Sequence, residues 1–152
     1  MAAITVEVTK PNRPDAVQLI RELDEHLSSL YPVESTHFLD IQTLMQPSIH
    51  FVLAFAEGMA VGCGALRLKE DYAEVKRMYV KPTYRGKGVG YKLLNKVETL
   101  AREAGYTTLR LETGVYQLEA VKLYERHGFH RRGPFGEYTD DPLSMCYEKR
   151  LD

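Results

Sequence analysis

Arg85-Gly-Lys-Gly-Val-Gly90 is the run in this chain whose residue types and spacing can do chemistry most directly. Glycines let backbone N–H groups converge on one point, and the first turn of a helix adds unpaired donors and a partial positive charge. The cations Arg85 and Lys87 flank the turn, so it is suited to hold phosphate oxygens. Spacing narrows the ligand. A dinucleotide fingerprint, G-x-G-x-x-G, would need glycine where Tyr91 stands. A P-loop would need glycine at Lys81 and Ser or Thr at Gly88. Neither pattern is present.

A second segment follows one helix and one strand later. Leu109-Arg-Leu-Glu-Thr-Gly114 reads as a strand and turn, and Gln117–Phe129 as a helix stopped by Gly128 in the C′ position. Together the two segments resemble the GCN5-related N-acetyltransferase (GNAT) superfamily. Its acetyl-coenzyme A signature reads Arg/Gln-x-x-Gly-x-Gly/Ala directly after a strand, and Arg85–Gly90 meets every fixed position. Its other diagnostic segment reads Asn-x-x-Ala-x-x-Leu-Tyr-x-x-x-Gly-Phe. Ala120, Leu123, Tyr124, Gly128 and Phe129 match it, and Gln117 stands where Asn is usual. Pro134-Phe-Gly-Glu-Tyr138 ahead of Asp141-Pro-Leu-Ser144 is also similar to a bacterial branch of small acetyltransferases.

The resemblance implies transfer of an acetyl group from acetyl-CoA to a primary amine by direct attack on the thioester. Such a reaction needs a deprotonated amine, a donor for the oxyanion and a proton for the leaving thiolate. Carried onto this chain, the resemblance gives the backbone of Met78, Tyr79 and Val80 to pantetheine and the thioester, with an N–H there as oxyanion donor. It gives the N–H groups of Arg85, Gly86, Lys87, Gly88, Val89 and Gly90 to the pyrophosphate. Thr113, Gln117, Ala120, Leu123 and Tyr124 lie beside pantetheine on the other strand and helix. Tyr124 is the acid: a phenol near pKa 10 keeps its proton at pH 7 and can pass it to a thiolate. Glu74 stands where the histone-acetylating branch has its catalytic glutamate. It is either the general base or a charge paired with Lys76 or Arg77. On an unbroken strand it shares a face with Lys76, Met78 and Val80.

The acceptor side falls to the variable segments, Leu30–His37 and Gly133–Pro142. Tyr31, Glu34, His37, Arg77, Glu137 and Tyr138 are the candidates for binding the amine or its neighbouring groups. A small-molecule amine is the first reading. A protein lysine or N-terminus is the second, and a non-catalytic acetyl-CoA-binding module the third. Binding alone would require only the glycine turn, so the retained Tyr124 argues against the third. Family members often dimerise, which admits a homodimer, although no segment commits to an interface.

These side chains must be positioned by a scaffold, and the remaining pattern supplies one. Ile4, Val6 and Val8 alternate as in a strand. Pro14 followed by Val17, Ile20, Leu23, Leu27 and Leu30 marks an amphipathic helix. A second short helix runs through Phe38, Ile41 and Leu44–Met45. His50–Glu57 and Met59–Lys69 form a hairpin, Tyr72–Lys81 is the strand entering the glycine turn, and Leu143–Arg150 is a closing strand. The order β-α-α-β-β-β-α-β-α-β-β matches the fold the resemblance implies. That fold is α/β (α+β), a mixed, mainly antiparallel sheet of about seven strands flanked by about four helices. A single domain over residues 1–152 is expected, since no linker or repeat interrupts the chain.

Composition excludes several classes. A formal net charge of −1 on 152 residues gives no general basic surface, so nucleic acid is not an expected partner. Two cysteines, Cys63 and Cys146, cannot make a disulfide framework, and both sit in apolar strand contexts as small hydrophobes. The five histidines show no zinc spacing, and no metal is expected. Without a long apolar run or a basic-plus-apolar leader, the expectation is a cytoplasmic protein with no membrane partner.

Overall fold

The computed structural model of the chain describes residues 3–35 and 39–152. The alternating N-terminal segment forms β1 (Ile4–Thr9). Pro14 occupies the first turn of α1 (Pro14–Leu30), where its missing N–H costs no helical bond, and the Arg13 guanidinium clasps Asp15 beside it. Asp40 caps the short α2 (Ile41–Leu44) by accepting from the Thr43 N–H at 2.8 Å. Strands β2 (Ile49–Ala56) and β3 (Met59–Leu68) make the expected hairpin. Its turn residues Glu57 and Gly58 both have positive φ, as a tight two-residue turn requires. β4 (Ala73–Val80), α3 (Val89–Glu103), β5 (Thr108–Gly114), α4 (Leu118–Arg126), β6 (His130–Arg132) and β7 (Ser144–Arg150) complete the chain. β6 is three polar residues with no alternation to mark where it lies. Among the described residues no helix is long and apolar enough to cross a membrane.

The seven strands form one sheet in the order β1-β2-β3-β4-β5-β7-β6. Every neighbouring pair is antiparallel except β4–β5, which is parallel and spans only Ala73↔Leu109 and Glu74↔Arg110. Beyond Glu74, β4 stays with β3 while β5 stays with β7 along its whole length. The two central strands therefore part, and a wedge opens in the middle of the sheet.

Helices cover both faces. Leu93, Leu94 and Val97 of α3 and Tyr124 of α4 pack on one face with Val52, Leu66, Val75, Leu109 and Leu111. Leu19, Ile20 and Leu23 of α1 pack on the other with Phe51, Leu53, Cys63 and Tyr79. Tyr72, Phe135, Tyr138 and Cys146 form a smaller cluster. Both cysteines are buried free thiols, and burial pushes Cys63 up to about 12, so it packs as a hydrophobe.

A β-bulge breaks β4 at its centre. The register against β3 slips between Cys63 and Ala65, and Arg77 adopts φ 58, a left-handed conformation uncommon for a residue with a side chain. Up to the bulge, Ala73 and Val75 face α3. Past it, Met78 and Val80 take that face, while Arg77 and Tyr79 face α1. Glu74 therefore does not share a face with Met78 and Val80, contrary to the unbroken-strand expectation. Lys76 and Arg77, consecutive in sequence, emerge on one side.

Candidate active site

The wedge opens into a groove of about 820 Å³. Its floor and one wall come from Met78, Tyr79 and Val80 and from the turn containing Arg85, Gly86, Gly88, Val89 and Gly90. Gln117, Ala120, Leu123 and Tyr124 form the opposite wall. Gly88 enters α3 at φ 83, which a residue with a Cβ reaches only under strain, and no side chain caps the helix's first turn. The Arg85 side chain is fixed across the mouth: its Nε donates to the Val80 carbonyl at 3.0 Å and its guanidinium lies 5.7 Å from the Tyr79 ring centre. Backbone donors and a cation thus sit at one end of a long, largely apolar channel. That distribution fits a ligand with phosphates at one end and an uncharged arm, the shape of acetyl-CoA.

Two of the expected cofactor residues are not among those that line the groove. Lys87 does not line the groove itself; its ammonium lies 5.2 Å from the ring centre of Tyr84, which does. Thr113 is buried and lines a separate chamber. The groove also gains Leu23 and His26 from α1 and Arg126 from α4. Arg126 follows Leu123 at i+3, so helical spacing could have found it. No local signal marks the α1 residues, which arrive by tertiary packing. Burial, then the Arg85 charge, lowers the pKa of His26, leaving it neutral at pH 7.

The chamber, about 80 Å³, adjoins the groove and shares Leu23, Met78, Gln117 and Tyr124 with it. Tyr31, at the C-terminal end of α1, walls it. Its hydroxyl accepts from the Tyr116 N–H at 3.0 Å and its ring stacks on Tyr116 at 5.5 Å. Gln117 shapes the adjoining turn, its Oε1 accepting from the Gly114 N–H at 3.0 Å and the Thr113 hydroxyl at 3.4 Å. Glu112 contributes a carboxylate that accepts from the Ser144 hydroxyl at 2.7 Å. Tyr124 rises from α4 on the opposite face of the sheet and reaches the chamber through the wedge. Burial, and then the Glu112 carboxylate, pushes its phenol above the usual range, so it stays protonated at neutral pH.

Glu74 does not reach this space. Its side chain is fully buried and lines neither chamber nor groove. The Tyr138 hydroxyl donates to one carboxylate oxygen, and the Lys76 ammonium lies 3.6 Å from the same atom while donating to the Tyr138 oxygen at 2.6 Å. A general base must come within hydrogen-bond reach of the amine. Enclosed behind Lys76, Glu74 serves as its counter-ion. Glu112 is the chamber carboxylate instead, and the sequence reading missed it. The available signal was alternation on β5: Leu109 and Leu111 face α3, which sends Glu112 to the other side.

Of the acceptor-side candidates, Tyr31 and Arg77 line the chamber. Arg77 donates to the Ile20 carbonyl at 3.4 Å and pairs with Asp24 on α1. Tyr138 is buried behind Lys76, where burial and the Glu74 carboxylate push its phenol up. Glu34 and Glu137 are exposed and do not line the chamber. His37 lies outside the described residues, as does Phe38 of the expected second helix.

Comparison with known proteins adds to this geometry. The family model described as acetyltransferase (GNAT) family matches residues 17–129. An IAA acetyltransferase of Azospirillum brasilense is 50% identical over 153 residues, covering 99% of this chain and 100% of that protein. The crystal structure of a Klebsiella pneumoniae protein provisionally designated an acyl-CoA N-acyltransferase superposes with a TM-score of 0.85 at 36% identity, over 100% of both chains. The fold also matches the PaiA N-acetyltransferase of Thermoplasma acidophilum, solved in complex with coenzyme A. There the TM-score is 0.75 at 20% identity, covering 98% of this chain and 99% of that one.

Proposed function

This chain belongs to the acetyltransferase (GNAT) family and is an acyltransferase, and we propose that it moves the acetyl group of acetyl-CoA onto the primary amine of a small molecule. One observation carries the reading: Tyr124 lines both the long groove and the small chamber, and so stands where a donor in one would meet an acceptor in the other. The coenzyme A held by the Thermoplasma acidophilum protein supports the same donor here, and the uncapped start of α3 at Gly86–Gly90 suits its pyrophosphate, while the Arg85 N–H is given to the Pro82 carbonyl at 3.3 Å.

Bound in the groove, acetyl-CoA supplies an acetyl group activated as a thioester. The chain's residues do the rest. The backbone of Met78–Val80, freed from β5 by the wedge, flanks the reacting carbonyl and offers an N–H to its oxygen. Glu112 takes a proton from the amine in the chamber. The amine nitrogen so freed forms the new C–N bond as the C–S bond breaks, Tyr124 gives its proton to the departing sulfur, and the second proton shed by the new amide nitrogen restores the Tyr124 hydroxyl. Each of the first two proton transfers is worth about 10²–10⁴-fold in rate.

Chamber size favours a small acceptor over a protein. About 80 Å³ holds roughly five to eight water-sized groups, which is short of a lysine side chain with its flanking backbone. Thiol release measured against a panel of small amines, lysine peptides and peptides with free N-termini tests the point. Turnover of small amines and not of peptides is expected. Turnover confined to peptides would replace this reading with a protein acetyltransferase, and cofactor binding with no turnover on any acceptor would replace it with a binding module.

A further inference from the structure

The chamber wall carries two adjacent cations that an ordinary strand could not place together. Side chains at consecutive strand positions point to opposite faces. In β4 the bulge at Arg77, with its φ of 58, cancels the alternation, and both Lys76 and Arg77 line the chamber. A non-glycine residue held in this region is strained and persists where the surroundings enforce it, often at binding sites.

The charges are also layered. Lys76 and Arg77 are almost wholly buried, with side chains 7% and 3% exposed. Two carboxylates paired with them stand outside the chamber lining: Glu74 sits behind Lys76 and Asp24 beside Arg77. Tyr138 fixes the Lys76 ammonium further, by a 2.6 Å hydrogen bond and a ring centre at 5.2 Å. The cavity therefore has positive charge on its β4 wall, and on its β5 wall it has Glu112. Positive and negative walls face each other across a space of about 80 Å³.

We propose that the acceptor is a small amino acid or the amino-acid end of a slightly larger molecule. Its carboxylate is held by Lys76 and Arg77, and its ammonium is turned toward Glu112 and Tyr124. This rests on the small-amine reading and narrows it. The zwitterion satisfies both walls at once, and its five to eight heavy atoms match the roughly five to eight water-sized groups the chamber holds. An amine without a carboxylate would leave the β4 wall facing apolar atoms or trapped water. Charge-assisted hydrogen bonds contribute about 1.5–3 kcal/mol each, and 1.4 kcal/mol is tenfold in affinity, so losing the carboxylate should cost about 100-fold.

The test uses the whole chain with acetyl-CoA and matched acceptor pairs: each small amino acid against its amide and its decarboxylated amine, with thiol release as readout. The expected result is a kcat/KM about 100-fold higher for at least one free amino acid than for its amide. Lys76→Gln should then lower kcat/KM for that amino acid about 30-fold more than for its amide. A merely structural Lys76 would not alter the ratio of acid to amide. Amides or decarboxylated amines used as well as the free acids would overturn the proposal and leave the small-amine reading standing. Turnover of peptides and of no small amine would remove both.

Discussion

The hydroxyl of Tyr31 lies where a Cβ on residue 114 would stand: built onto Gly114, that atom would fall 1.9 Å from the Tyr31 oxygen and 2.1 Å from its ring carbon Cζ. Tyr31 ends α1 and Gly114 ends β5, so the missing side chain is what lets the first helix close over the chamber. Gly114→Ala is expected to push Tyr31 off Tyr116, destabilising the protein by about 1–3 kcal/mol through overpacking and lowering acceptor affinity. Tyr31→Ala alone opens the chamber. The double variant should be less unstable than the sum of the two, because the clash is then gone. Denaturant midpoints of all four proteins measure the coupling, and strict additivity would contradict the contact.

Two carboxylates near the centre are expected to fail differently. Glu74→Gln breaks up the buried Tyr138–Glu74–Lys76 cluster, and removing one partner of a buried pair typically costs about 3–5 kcal/mol of stability. It should leave the ascending limb of the pH–rate profile in place. Glu112→Gln should lower kcat by about 10²–10⁴-fold and remove that limb, with little loss of stability. Profiles recorded below each variant's melting temperature separate the two, and loss of the limb in Glu74→Gln would return the base to Glu74.

Gly88 tests the cofactor turn without touching the chamber. Its φ of 83 is reached by an alanine only at a cost of about 1–2 kcal/mol. Gly88→Ala should therefore raise KM for acetyl-CoA about tenfold and leave the acceptor's KM unchanged. A rise in the acceptor's KM alone would mean that the turn serves another ligand.

Stability should fall in two stages as the solution is acidified. Burial, then the Lys149 charge, lowers the pKa of His127 below 6.5, and burial lowers that of His26. The unfolded chain then binds those protons more readily, so stability is intact above about pH 6.5 and declines below it. Glu98 and Glu148 follow the carboxylate pattern. Burial alone would raise them, but Lys149 at Glu98, and Arg110 with Arg132 at Glu148, outweigh it and leave both below 4.5. Their contribution is present above about pH 4.5 and lost below. Melting temperatures against pH should show both declines, with the upper one reduced in His127→Gln. A melting temperature that climbs between pH 7 and 5.5 would contradict the assignment.

The groove side of the candidate site was legible because it is local. Glycine spacing, the strand before it and the helix motif ending at Phe129 are each fixed by a few contiguous residues, and most of them line the groove. Strands and helices with clean periodicity were legible for the same reason, while the three polar residues of β6 offered none. The chamber side was legible only in part: Tyr31 and Arg77 were expected there and line it, while the pairing of Lys76 with Arg77 on one wall depends on an irregularity. Nothing in Glu74-Val-Lys-Arg-Met announces a bulge, yet the positive φ at Arg77 decides which side chains reach the chamber. An unbroken strand gives Glu74 a place near the thioester; the bulged one buries it behind Lys76. Leu23, His26 and Tyr31 reach the site only by the docking of α1.

The measurement closest to the centre of this mechanism is steady-state kinetics of Tyr124→Phe beside the affinity of the same variant for coenzyme A. The ring keeps its packing on Phe129, at 6.0 Å between centres, and only the hydroxyl is lost. The expected result is a fall in kcat of about 10²–10⁴-fold with coenzyme A affinity changed by no more than about twofold. An unchanged kcat would contradict the role of Tyr124 as the acid between groove and chamber.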